Sequence, residues 1–540
     1  MTDLDAPTAA APERRRRRAA RDHGGVGERL RAWRPTTDLA VGTIAGVAIF
    51  ALLMARNTWI LQGHLLFGGD EGNQFGTAWN AITLRELRGN GSRTGFHHPG
   101  PSYLYVWGAA DVMRKLLGSP IGQHNAMMIG GLALNAAQLG AVFAIVRSHL
   151  DSVVRATLVL CAFAALASVE PHIMAGPWLP HMFFASFTLL VVAAASVAAG
   201  RLPSLVAFAA AAGFLLQGHV AFASFVIVIT LAMAVVMWRT GNLRALWRDE
   251  RRTMWTAGGV LALFVIPVAG STLANWPGEF EQYLEWAGRD DTGGFTMRQT
   301  ATFLLHFWPG GGARAQLAVA ALTLGALAGV SWWRRSRFGA CLLVAALLME
   351  LCLAYYVRTG LDDINAFYVA LWMVALPGLA AGTAVALALP DRIVAPSDRA
   401  ARVAVAAVAA IVVLATTFLS ASTRFEAFRL DAALAVVDEM EAGANGRPIV
   451  LDGAVEVLGS FYLAPAILSE AEDRNLDICL AQPGWTIKYD SGRICTAQER
   501  LDGDVWTIYP FESGLPPSLA GSPPPGYVTG WIDHAPRRSS

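Results

Sequence analysis

The chain has 540 residues, 54% of them hydrophobic and only 15% charged, with a net charge of +1 and a mean hydropathy of +0.42. A soluble domain carries about 25% charged residues, so this composition excludes an ordinary soluble enzyme and indicates a polytopic membrane protein. The net charge carries no signal for nucleic acid, and none is expected as a partner.

Residues 1–38 form a basic N-terminal segment with the run Arg14–Arg18. No short apolar stretch with a small-residue cleavage site follows it, so no cleavable signal peptide is expected. A span needs about 20 mostly apolar residues. Eleven segments come close to that: 39–61, 123–147, 153–169, 181–199, 203–218, 220–238, 254–273, 315–333, 338–356, 368–389 and 403–420. Residues 39–420 therefore read as a transmembrane domain, with a first outer loop over 62–122.

Sidedness follows from basic residues in short loops. With the N-terminus cytoplasmic, eleven spans place "RSHLDSVVR", "WRTGNLRALWRDERR", "WWRRSRFG" and "PDRIVAPSDRAAR" inside. The outer loops "VEPHIMAGPWLPH" and "LQGHVAF" contain no Arg or Lys. Residues 100–118 are apolar enough to be miscounted as a twelfth span, which would reverse every later loop. They also carry Asp111, Arg114 and Lys115, so they are expected to form an amphipathic helix on the outer leaflet.

An odd number of spans puts residues 421–540 outside an inner, plasma-type membrane. That region mixes a helical run, "FRLDAALAVVDEMEA", with strand-like runs, "RPIVLDGAV" and "DVWTIYPF". It is predicted to be a small extracytoplasmic α/β domain ending in a mobile tail from about 514. Cys479 and Cys495 lie there and can form a disulfide in an oxidising compartment. Cys161, Cys341 and Cys352 lie in apolar segments. The fold class expected is thus mainly α, with about eleven membrane helices, juxtamembrane helices in the first outer loop and the C-terminal α/β domain.

Polar residues gather on the outer face. Asp70 and Glu71 open the first outer loop in "FGGDEGNQFG", and nine of the eleven histidines fall on or near that face. "GFHHPGPSYLY" brings His97 and His98; "GPWLPH" brings Trp178 and His181 to the start of the fourth span; "LLQGHVAF" places Gln217 and His219 in a tight turn. Each has a plainer reading. Asp70 could cap the helix that follows it, aromatic residues anchor interfacial helices, and polar residues in a tight turn bridge helices.

The order of a first membrane helix, "GGDEGNQFGTAWNA", "GFHHPGPSYLYVWGAADVMRKLLG" and "IGQHNAMMIGGLALNAAQLGAVFAIVRSHL" resembles the protein O-mannosyltransferase and aminoarabinose-lipid A transferase branch of the GT-C glycosyltransferases. That branch has an acidic pair in its first outer loop and a His-Pro-Pro-Leu-like motif after it. Here the motif reads His98-Pro99-Gly100-Pro101, a departure at its third position. The likeness covers roughly 39–200 well, is loose to about 420 and does not reach the C-terminal domain.

The resemblance implies transfer of a sugar from a polyprenyl-phosphate donor to a glycan, lipid or protein acceptor on the outer face, within a setting of membrane lipids. It makes Asp70 the general base, with Glu71 orienting it or holding the acceptor. His97 or His98 would face the sugar or the phosphate. Trp178 would stack on a sugar ring, with His181 and His219 lining the site. Arg298 and His306 share one helical face eight residues apart, and Arg358 and Asp363 stand at the outer entrance of the tenth span. A guanidinium suits bidentate phosphate contact, so Arg298 with His306, and Arg358, are candidate phosphate ligands.

Asp, Glu and His together suit a divalent metal, but no spacing such as H-E-x-x-H fixes one. A transporter or flippase of a lipid-linked intermediate is the alternative class. Transporters place polar residues at the midplane in broken helices, whereas here only Glu350 is acidic within the apolar cores.

Overall fold

The computed structural model describes residues 35–92, 96–168, 170, 172–287, 293–390, 431–443, 446–453, 458–481, 494–510 and 530–535. The predicted span 403–420, Arg14–Arg18, Asp290, Asp291 and most of the tail from 514 lie outside the described residues.

Ten apolar helices stand where spans are predicted. They are α1 (Pro35–Arg56), α4 (Gln123–Leu150), α5 (Val153–Ala167), α6 (Leu179–Ala198), α7 (Ser204–Gly218), α8 (Phe222–Thr240), α10 (Arg251–Ala274), α13 (Ala313–Arg334), α14 (Arg337–Thr359) and a tenth in two pieces. The tenth opens as a 3-10 helix, Phe367–Val374, and continues as α15 (Ala375–Ala388). Eight of these are long and apolar enough to cross a membrane, with α5 and α7 shorter.

A helix that is hydrophobic all round belongs in a core or in lipid, and the two cases separate here. α6 is 94% buried over its most apolar stretch and runs through the middle of the bundle, whereas α1 and α10 are only 11% buried. α1 docks on α4 where glycines let the backbones close. A Cβ on Gly140 would lie 2.7 Å from the amide nitrogen of Gly46. Small residues at such crossings are the usual device for helix packing in lipid.

Two helices between the first two apolar helices, α2 (Gly69–Ile82) and α3 (Ser102–Leu116), pack on each other and across the N-terminal end of α4. α3 buries Tyr103, Leu104, Trp107 and Asp111 and leaves Met113, Leu116 and Leu117 exposed. It is amphipathic in the expected way. Its fully buried Asp111 is neutralised by Arg114 at 2.7 Å and Lys115 at 3.2 Å.

The C-terminal region forms a four-stranded sheet in the order β2-β1-β3-β4. β1 (Ile449–Gly453) is parallel to β2 (Ile478–Leu480) and β3 (Asp504–Pro510), and β3 is antiparallel to β4 (Gly530–Ala535). A disulfide joins Cys479 at the end of this sheet to Cys495, with Cα atoms 5.0 Å apart. Helices α16 (Asp431–Gly443) and α17 (Leu458–Asp473) complete the core.

Leu66, in the segment between α1 and α2, is buried within that same core. Polar contacts fasten the two regions further. His124 Nε2 lies 2.7 Å from Ser469 Oγ, His64 Nε2 lies 2.8 Å from Glu470 Oε2, and Arg114 reaches Asp473 at 2.6 Å. Helix α17 of the C-terminal region packs on α2, the helix that carries Asp70 and Glu71.

Candidate active site

α2 begins abruptly. Gly69 takes φ +62°, a left-handed conformation that glycine accepts without strain, and Gly68 is the N-cap. Asp70 is therefore not the cap, and the capping alternative fails at this residue. Asp70 and Glu71 occupy the first turn, where the helix dipole favours negative charge.

The two carboxyls differ in environment. Asp70 is half-buried and Trp178 Nε1 donates to its Oδ2 at 3.2 Å. Glu71 is 1% exposed, and neither of its oxygens has a hydrogen-bond partner among the described residues. Burial, and secondarily the charge of Asp70, hold the Glu71 carboxyl well above the usual carboxylate range. A protonated Glu71 leaves the negative charge of the pair on Asp70.

Trp178 is set by the entry to α6. Pro180 opens the helix in the manner typical of prolines at first turns. The backbone nitrogen of Leu179 donates to Gln74 Oε1 of α2 at 3.2 Å, tying the starts of α2 and α6 together. The Trp178 ring packs against Tyr368 (centroids 5.0 Å) and His181 (5.9 Å), and His181 faces His172 at 6.3 Å. Gly176 lies so close to the His181 ring that a side chain there would displace it. Asp70, Glu71, Trp178 and His181 are thus brought together, joined by Tyr368 and His172.

A second cluster adjoins the first through α6 and the 3-10 helix. The rings of His98 and His219 lie 4.3 Å apart, and His219 faces both Phe183 (6.2 Å) and Trp372 (6.4 Å). His219 Nδ1 accepts from the backbone nitrogen of Ala221 at 3.1 Å, which puts the ring proton on Nε2. Burial, then the neighbouring His219 and His97, hold His98 well below the ordinary histidine range. Burial lowers His219 to about 4. Both rings are neutral near pH 7, so this pair offers hydrogen bonds rather than charge.

The remaining candidates lie elsewhere. His97 is drawn away to Glu279 at the start of α11 (Glu279–Ala287), which binds its backbone nitrogen at 2.6 Å and its Nδ1 at 3.2 Å. Tyr283 donates to the His97 carbonyl at 2.6 Å. His97 therefore holds the loop that positions His98. His306, at the end of α12 (Met297–Leu305), stacks on Phe367 with centroids 3.7 Å apart. Arg298, Arg358 and Asp363 have exposed side chains, and Asp363 accepts from the backbone nitrogen of Asn365 at 2.9 Å. Among the described residues no group of three or more His, Cys, Asp or Glu side chains is arranged to hold a metal.

Tyr368, Trp372 and Arg56 join the region without being singled out by the sequence. The first two lie in an apolar run that gives no sign of a 3-10 turn. Arg56, with Asn57 and Glu170, stands at one end of an apolar groove of about 500 Å³ between α1, α4 and α5. Burial raises the Glu170 carboxyl. The rim of the groove at Ile173–Ala175 is three residues short of Trp178.

A bundle of apolar helices with two shorter helices packed at one end, the first bearing an acidic pair, and a small α/β layer against them is the architecture of a polytopic membrane protein. Among solved structures the chain is similar to the crystal structure of ArnT from Cupriavidus metallidurans bound to undecaprenyl phosphate. The two are 12% identical, with a TM-score of 0.53, over 88% of this chain and 93% of that one. No family model matches the chain, and no curated protein does. At this identity the likeness concerns the fold.

Proposed function

We propose that the protein is a glycosyltransferase that moves a sugar from a polyprenyl-phosphate donor to an acceptor hydroxyl on the outer face of the membrane. The observation that carries this reading is the asymmetric pair at the start of α2. One carboxylate is half-open and aimed by an indole, and its neighbour is buried, without a hydrogen-bond partner among the described residues, and held well above the usual carboxylate range. Asp70 takes the acceptor proton as general base, which requires hydrogen-bond reach of the reacting hydroxyl. Glu71, kept neutral, confines the negative charge to Asp70 and adds no repulsion of its own toward a phosphate.

The groove beside α1 supports a prenyl chain lying along the bundle, with its phosphate at Arg56 and its sugar at the Trp178 and Tyr368 rings. Arg298, His306, Arg358 and Asp363 lie outside this route and form an outer rim. His98 and His219 are neutral hydrogen-bonding groups toward the sugar or the acceptor. The undecaprenyl phosphate bound to ArnT supports a carrier of this chemical class. The acceptor is an envelope glycan, lipid or protein, with the C-terminal layer of residues 421–540 lying over it. The N-terminus is cytoplasmic, residues 62–122 and the C-terminal layer are extracytoplasmic, and the membrane is the inner, plasma-type one.

The test is direct. Purified protein in nanodiscs, given a panel of polyprenyl-phosphate sugars and acceptor extracts, is expected to consume one donor and release polyprenyl phosphate. Absence of turnover with every donor, alongside energy-independent movement of one across vesicles, would favour a flippase instead. Cysteine labelling of 240–252 from outside would contradict the sidedness.

A further inference from the structure

The end of the bundle remote from Asp70 carries a second and larger groove, of about 920 Å³, between α1, α4, α7 and α10. Its walls are apolar and small: Gly42, Val47 and Phe50 on α1, Ala137 and Ala141 on α4, Ala207 on α7. Its polar end is different. Arg201, in the turn between α6 and α7, and Arg252, at the start of α10, stand there with Ser148, Ser204 and Thr253.

Asp151 and Asp38 act on Arg201 from a distance, but neither forms an ion pair with it. Asp38, which also lines the groove, is taken up by Arg147 at 2.9 Å. Arg201 is half-buried and donates to the Ser148 carbonyl. Among the described residues it has no carboxylate within 4.0 Å. Arg252 is exposed and, among the described residues, has no carboxylate within that distance either. A half-buried guanidinium needs an anionic partner to offset its desolvation, and its planar fork matches phosphate oxygens.

We propose that this groove binds an anionic glycerophospholipid of the leaflet on the side opposite Asp70, with its phosphate between Arg201 and Arg252 and its acyl chains along α1 and α4. The length supports a phospholipid over a polyprenyl carrier. From Asp38 to Phe50, α1 rises about 18 Å at 1.5 Å per residue, close to the roughly 15 Å of one leaflet's hydrocarbon. A long prenyl chain would overrun it. The lipid has a structural role, because α1 and α10 flank the groove and are the two least buried spans. A molecule seated there fills the contact that neither helix makes for itself.

The test uses the full chain, delipidated in a neutral detergent, with Tm followed as lipid is added. Phosphatidylglycerol is expected to raise Tm by a few degrees, saturably, at several-fold lower concentration than phosphatidylcholine of the same chains. Arg201→Gln and Arg252→Gln are expected to bring the phosphatidylglycerol midpoint up to that of phosphatidylcholine. Arg244→Gln, exposed at the same end but outside the groove, leaves it unchanged. If Arg201→Gln does not fold, Arg252→Gln and the groove-filling Val47→Trp carry the test. Equal response to both lipids, or an Arg244→Gln effect as large as that of Arg252→Gln, would overturn the proposal. So would stabilisation by undecaprenyl phosphate but not phosphatidylglycerol, which would give the groove to the carrier. Transfer activity is not the readout, so the outcome is independent of the function proposed above.

Discussion

The indole nitrogen of Trp178 and a carboxylate oxygen of Asp70 lie 3.2 Å apart, joining positions separated by 108 residues. The bond links the first turn of a juxtamembrane helix to the mouth of the central membrane helix. A hydrogen bond to a charged group contributes about 1.5–3 kcal/mol. Trp178→Phe keeps most of the ring and removes the donor. Transfer is expected to fall about 10- to 100-fold, with Tm little changed. Full activity in this variant would show that the indole does not aim Asp70.

Glu71 gives a pH signature. Its carboxyl is raised in the folded protein and ordinary, near 4.5, in the unfolded chain. The stability it contributes is therefore fully present below pH 4.5 and is lost as pH rises toward the raised value. Glu71→Gln cannot ionise, so it is expected to gain Tm relative to the parent progressively from about pH 4.5 upward. A pH-independent difference would mean that Glu71 is not held protonated. Its cost in transfer is expected to be smaller than that of a change at Asp70.

His64 and Glu470 form a half-buried contact of 2.8 Å between the segment joining α1 to α2 and helix α17. The hydrogen bond that His64 donates to Glu470 raises its imidazole above 6.5, against the opposing effect of burial. That contribution is present below pH 6.5 and is lost as pH climbs through the raised value. The Tm difference between the parent and His64→Gln is therefore expected to be largest in mild acid and to shrink in alkali. A difference that grows with pH would contradict the pairing.

The disulfide closes a loop with a sequence separation of 16 between Cys479 and Cys495. In the chain-entropy model such a loop is worth about 3 kcal/mol. Replacing both residues with serine is expected to lower resistance of the C-terminal layer to proteolysis while the membrane helices stay folded. Free thiols at both positions in protein taken from native membranes would argue against export of that layer.

The helices were legible because lipid solvation imposes a length and a composition that few other segments share. Asp111, Arg114 and Lys115 separated α3 from the spans for a sound reason, since their charges are satisfied among themselves and by Asp473. The site was only partly legible. Trp178 and His181 stood out beside prolines, but Tyr368 and Trp372 are aromatic residues in an apolar run, and only the 3-10 geometry aims them. His97 and His98 are adjacent in sequence and part company in space, because Glu279, some 182 residues on, captures the first. Pairings at that separation leave no local pattern.

Asp70→Asn tests the central claim most directly. Asparagine keeps the volume and can still accept the Trp178 hydrogen bond, and losing the charge at the helix start costs about 0.3–1 kcal/mol. It cannot take a proton near neutrality. The account expects transfer to fall about 10²–10⁴-fold in single-turnover assays, with donor binding and Tm nearly unchanged. Transfer within a few-fold of the parent would contradict it and remove Asp70 from the chemistry.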